Sequence, residues 1–327
     1  MALVLAKEDL GGYLSRLARE YVVYAPVKRG DIVTFDIWRD GDEAVLDYET
    51  TNSAVKKAFF PAEETLLEFK GGAVSEPEHM GKSIVVFGIH PYDVQALKIL
   101  DHAFGKPVKD SYYSRRRRGS FIVAVEHGEI PNAFYSELDL DFESGYDIIL
   151  LDEGDHYLLD VKTKRGHKLV KNGNVRSRSG HVRKPKIPKS GKKKLNVKRT
   201  SAFLDGGPDD ELWENLAKEC FACGICSYVC PVCHCFDVED RVGLSGEEGE
   251  RVRCWDSCML ADFALVAGGV NFRDKRHMRI HNWYHHKFSR AVKERGMPDC
   301  VGCGRCITYC PAKIKIHDII RRCEEKG

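Results

Sequence analysis

A chain of 327 residues with 43% hydrophobic residues is long enough for two compact domains and apolar enough to bury a core in each. No apolar run approaches the roughly 18 residues that a membrane helix needs, and the opening ALVLA is too short and too soon followed by charge for a signal peptide, so a cytoplasmic, non-membrane protein is expected. The net charge of +2 conceals a strip from Val161 to Leu204 that holds 16 Lys and Arg and no Asp or Glu, which leaves the rest of the chain acidic.

The stretch KEDLGGYLSRLAREY places Leu10, Leu14, Leu17 and Tyr21 at helical spacing, which predicts an amphipathic helix in spite of Gly11 and Gly12. DIVTFDIWR at 31–39 alternates as a strand does. SIVVFGI at 83–89 is a continuous apolar run of strand length, and HPYDVQALKILDHAF after it carries Pro91 near a helix start. FIVAV at 121–125 predicts another strand, and YDIILLDEGDHYLLDVKT a hairpin that turns at EGD. Together these elements predict a mixed α/β scaffold domain over 1–160. It contains no cysteine, no G-x-G-x-x-G and no P-loop, so no nucleotide or flavin chemistry is assigned to it.

The basic segment 161–204 has few large apolar residues and several Gly, Pro and Ser, the composition of an extended linker or docking segment. With almost no aromatic residues to stack on bases, it suits a solvated connector or an acidic partner protein better than nucleic acid. A helix, DDELWENLAKEC, then leads into the third segment, 205–327.

All 13 cysteines fall at or after Cys220, and an odd, segregated set favours metal ligation over a disulfide frame. CFACGICSYVCP at 220–231 and CVGCGRCITYCP at 300–311 share the pattern C-x-x-C-x-x-C-x-x-x-C-P. In the bacterial two-cluster arrangement the first three thiolates of each run hold one [4Fe–4S] cluster, and the fourth, before proline, crosses to the other. Cys220, Cys223, Cys226 and Cys310 are therefore predicted to hold one cluster, and Cys300, Cys303, Cys306 and Cys230 the second. Gly224, Gly302 and Gly304 fit loops whose backbone approaches sulfur, and Pro231 and Pro311 redirect the chain. Zinc fingers pair C-x-x-C knuckles across a longer spacer and do not match.

The insertion 231–299 holds Cys233, Cys235, Cys254 and Cys258. CWDSCMLADFALVAGG reads as helical up to its glycine pair, which would turn Cys254 and Cys258 the same way. These four thiols could form a possible third site, for a third Fe–S cluster or zinc, or pack as small buried hydrophobes. His285 and His286, in RHMRIHNWYHHKFSR, are candidate ligands that more simply belong to a polar docking face. Cys323 is expected to be a spectator thiol. The fold expected is α+β: a mixed α/β N-terminal domain, then a two-[4Fe–4S] ferredoxin-like domain with a long helical insertion.

CFACGICSYVCPVCHCFDVED, RCWDSCMLADFALVAGGVNFR and CVGCGRCITYCPAKIKI closely resemble the beta subunits of the sulfhydrogenases, cytosolic [NiFe] hydrogenases of archaea. The A subunits of anaerobic sulfite reductases are similar in the same places. The resemblance continues upstream through YVVYAPVKRG, PAEETLLEF at 61–69, GIHPYDVQALKILD at 88–101 and GHKLV at 166–170. It implies a non-catalytic electron-transfer subunit between a flavin- and NAD(P)-binding, diaphorase-type subunit and the small and large [NiFe] hydrogenase subunits. Alternatives are the A subunit of a sulfite reductase or another cytosolic redox complex and, in a different class, a nucleic-acid-associated Fe–S protein.

The eight repeat cysteines match the family as cluster ligands, and Cys233, Cys235 and Cys258 match cysteines of its pattern. Cys254 stands where a basic residue is expected. The resemblance also places a cysteine where this chain has Tyr92, and others in the region of 126–136. The N-terminal domain is therefore expected to act as a scaffold, with electrons entering and leaving through the C-terminal half.

Overall fold

The computed structural model describes residues 2–77, 81–171 and 175–327. Its strands are β1 (Ala2–Ala6), β2 (Val22–Arg29), β3 (Ile32–Ile37), β4 (Glu63–Lys70), β5 (Ala73–Ser75), β6 (Ile84–Ile89), β7 (Phe121–Val125), β8 (Ile148–Asp152), β9 (His156–Val161), β10 (Arg176–Arg178), β11 (Phe236–Val242) and β12 (Glu248–Trp255). The chain forms two compact units that exchange segments. The first comprises Met1–Phe60, His79–Pro131 and Leu140–Ser190; the second comprises Pro61–Glu78, Asn132–Asp139 and Gly191–Gly327.

The first unit is built on an eight-stranded sheet of order β10-β1-β9-β8-β7-β6-β2-β3. Pairs β2–β6, β6–β7 and β7–β8 are parallel. The hairpin expected at EGD is the antiparallel pair β8–β9. Every residue of β6 and of β7 is buried, because central parallel strands are covered on both faces and therefore read as unbroken apolar runs. The helix Leu10–Glu20 buries Leu10, Tyr13, Leu14 and Leu17, the stripe expected from its spacing. Pro91 opens the helix Pro91–Ala103 after β6, where its missing N–H costs nothing. Leu14, Val85, Phe87, Val123, Ile148 and Leu150 belong to one core cluster, and each such side chain contributes roughly 1.5–3 kcal/mol by leaving water.

Tyr92 lies in this helix, fully buried. Its hydroxyl is 2.7 Å from His90 Nδ1, and its ring packs edge-on to His127. The position where the resemblance places a cysteine is thus filled by an aromatic and imidazole packing cluster.

The basic segment 161–204 carries secondary structure: the helix Gly166–Lys171, the edge strand β10 and the helix Val197–Leu204. β10 pairs antiparallel with β1.

The second unit has a four-stranded antiparallel sheet of order β11-β12-β4-β5. The insertion between the cysteine repeats is therefore only partly helical, since it opens with the β11–β12 hairpin. Cys254 lies in β12, paired with Asp237 on β11 and Glu63 on β4. The sequence from Cys254 to Cys258 is the end of a strand followed by a turn, which replaces the expected helix. The cause is nonlocal: β4, almost two hundred residues upstream, supplies the ladder partners, and Arg253 and Glu64, both buried, pair at 2.5 Å across it. The rest of the unit consists of helices Glu211–Glu219, Arg276–His285, Ala291–Arg295 and Ile316–Lys326, with a π turn at His286–Arg290. Cys323 is buried beside Ile319 and Ile320 on the last helix.

Candidate metal centre

The two cysteine runs fold into matching loops. Gly224 and Gly304 each open a short helical turn at φ 78°, ψ −9°. Two residues earlier, Ala222 at φ 52° and Gly302 at φ 61° also adopt left-handed backbone. This backbone turns amide hydrogens toward sulfur: Ala222 N donates to Cys220 Sγ at 3.4 Å, and Gly302 N to Cys300 Sγ at 3.3 Å. Such N–H···S contacts stabilise thiolate charge. A Cβ on Gly302 would lie 2.6 Å from the Tyr135 backbone, and one on Gly304 2.7 Å from that of Asn132. Segment 132–139 thus closes on the second loop, and Phe134 N donates to Gly302 O at 2.8 Å.

A first pocket is lined by Cys220, Cys223, Cys226 and Cys310, with Cys306 also at its wall. Its remaining lining is largely apolar, including Leu216, Met259, Ile280, Trp283, Tyr284 and Ile316. A second pocket is lined by Cys230, Cys300, Cys303 and Cys306 together with Phe134, Trp283 and Lys287. Each pocket brings together three thiols of one run and the last thiol of the other. Burial pushes the Cys226 and Cys300 thiols up to about 12 and raises Cys306 and Cys220. A cation with affinity for soft thiolates would displace protons there on binding.

A third pocket gathers Cys233, Cys235 and Cys258 with His234, His286, Lys287 and Asp299; His234 Nδ1 is held 3.0 Å from Val232 O. Cys254 does not line it. Its Sγ is 3.5 Å from the Arg241 guanidinium and 3.8 Å from Glu63 Oε2, among exposed side chains. The four-thiol grouping expected for this site is thereby corrected to three thiols: strand pairing turns Cys254 toward the side chains of β11 and β4. Of the two candidate histidines, His286 reaches the pocket, and burial lowers its pKa to about 3. His285 Nε2 instead lies 3.3 Å from Asp205 Oδ1.

Two residues of the centre escaped the sequence reading, Trp283 and Lys287. Trp283 lines all three pockets, and Lys287 lines the second and third. Lys287 Nζ is 3.4 Å from Cys230 Sγ and donates to Asp299 O at 3.0 Å. Burial opposes its charge, but Cys230, Cys233 and Cys300 more than offset this and raise its pKa. The signal was local but faint: a lysine four residues after a tryptophan, where a π turn re-aims the helix.

Residues 219–314 match the family model described as a 4Fe-4S dicluster domain. The chain is 34% identical over 329 aligned residues to the sulfhydrogenase 2 subunit beta of Pyrococcus furiosus, covering 97% of each chain. It belongs to the sulfhydrogenase beta-subunit family. No solved structure matches it. As a sulfhydrogenase beta-subunit homologue with a dicluster domain, the chain is an iron–sulfur protein. Among its described residues, no helix is long and apolar enough to cross a membrane.

Proposed function

We propose that this chain is the iron–sulfur electron-transfer subunit of a sulfhydrogenase-type complex. In this reading Cys220, Cys223, Cys226 and Cys310 hold one [4Fe–4S] cluster, and Cys300, Cys303, Cys306 and Cys230 hold the other. The observation that carries it is the crossed grouping of thiols, three from one run and one from the other, in each of two pockets. When bound, the clusters supply one-electron oxidation and reduction.

The chain's own residues position and tune. Ala222 and Gly302 direct amides at sulfur, Lys287 sets a buried cation beside Cys230, and Trp283 forms a dry wall common to both pockets. Hydrogen bonds, burial and nearby charge are the levers by which a protein sets such potentials. No general acid or base is required for this role.

The partners that fit are a flavin- and NAD(P)-binding, diaphorase-type subunit on one side and [NiFe] hydrogenase subunits on the other, in the cytoplasm. Anaerobic purification of the native complex, with identification of what accompanies this chain, tests the reading. Co-purification of a flavoprotein and hydrogenase subunits is expected. A sulfite-reducing enzyme in their place would move the chain to the sulfite reductase A-subunit role, and absence of any redox partner would overturn the proposal.

A further inference from the structure

We propose that the third pocket binds a further iron–sulfur cluster, with Cys233, Cys235 and Cys258 as thiolate ligands and His286 as the fourth donor. This rests on the two-cluster reading, because the pocket shares the wall formed by Trp283 and Lys287 with the second four-thiol pocket.

The donors are held in place by the chain. Asp256 N donates to Cys235 O at 3.0 Å, which ties the turn bearing Cys258 to the C-x-C segment. Ser257 Oγ bonds Ser227 Oγ at 3.0 Å and accepts from Met259 N at 3.2 Å, fixing that turn from the other side. The space is comparable to that of the second centre: ≈ 290 Å³ against ≈ 330 Å³, each including the part open to solvent.

The polar lining points the same way. Lys287 is 5% exposed on the shared wall, with its Nζ 3.4 Å from Cys230 Sγ. His286 Nε2 lies 3.6 Å from Asp299 Oδ2, an oxygen that is buried and has no hydrogen-bond partner among the described residues. A carboxylate behind an imidazole is the arrangement that orients a metal-binding histidine, and imidazole replaces thiolate in some iron–sulfur centres.

The test uses the full chain reconstituted anaerobically with iron and sulfide, with metal counted and the EPR of reduced protein integrated. Wild type is expected to hold about twelve irons, and Cys258→Ser and Cys235→Ser about eight, with the two remaining signals unchanged. Cys254→Ser should stay at about twelve. His286→Cys should keep the iron and shift the midpoint of one signal only, while His286→Ala should lose iron from that centre alone. Wild type at about eight irons, unaltered by either thiol substitution, overturns the third centre and leaves the two-cluster reading standing. Wild type well below about eight overturns the two-cluster reading itself. His286→Ala indistinguishable from wild type in iron and midpoint removes His286 as the donor.

Discussion

At the scale of single residues, the spacing of the cysteines carries most of the chemistry, and the crossed fourth ligand is its sharpest consequence. Cys230 belongs to the first run but lines the pocket of the second. Cys230→Ser should therefore perturb the same EPR signal as Cys300→Ser and leave that of Cys220→Ser variants distinct; coincidence of the Cys230 and Cys220 phenotypes would refute the crossing. Glycine usage gives a second contrast. Gly302 stands at φ 61° with the Tyr135 backbone 2.6 Å from where a Cβ would sit. Gly302→Ala should cost roughly 1–3 kcal/mol and weaken retention of the second cluster, since both strain and a backbone collision oppose it. Ala222 already holds a side chain at the equivalent φ of 52°, so Ala222→Gly should be neutral or stabilise by up to about 1 kcal/mol. Thermal unfolding of both variants decides this, and equal destabilisation would contradict it.

At the scale of elements, legibility depended on whether a segment's partners are near in sequence. SIVVFGI, Pro91 and its helix, FIVAV and the EGD hairpin could be read because period, caps and turn are local signals. Cys254 and Cys258 could not, because four-residue spacing suits a helix while β4, far upstream, decides the outcome. PAEETLLEF was visible only as a family resemblance, yet it supplies the strand that makes β11 and β12 part of a sheet. The buried Arg253–Glu64 pair crosses this junction, and Arg253 also stacks over Phe236 at 5.3 Å. Arg253→Ala alone should destabilise the unit by about 3–5 kcal/mol, because it strands a buried carboxylate. The double change Arg253→Met, Glu64→Leu should recover most of that loss, being of similar volume and uncharged. Chemical denaturation of the two variants is the check, and a double variant as weak as the single one would show that the pair does more than satisfy itself. The π turn after His285 is equally silent in sequence, and it is what brings Lys287, Phe288 and Ser289 to the interior.

At the scale of the whole molecule, the open question is what the basic segment does. Composition alone made it a net positive strip, but some of its side chains pair with carboxylates of the unit they belong to. Arg183 pairs with Glu126 and Glu153, Arg165 with Asp147, and Lys162 with Asp160 in the first unit. Lys194 pairs with Asp139 in the second. Glu126 illustrates the balance: burial works against its charge, yet Arg183 and the Lys186 amide hold its pKa below the usual value. Each cation held in such a pair is one fewer to exchange for the counterions of a duplex, and that exchange is what drives nonspecific nucleic-acid binding. The full chain should therefore show no binding to a random DNA duplex in the roughly micromolar range at low salt, and no steep dependence on salt. Binding that is micromolar, falls sharply between about 50 and 200 mM salt and disappears when 175–199 is deleted would reassign the segment to nucleic acid. Retention of redox partners by the same deletion would then separate that role from assembly, because a docking arm for a partner subunit must lose its partner when it is removed.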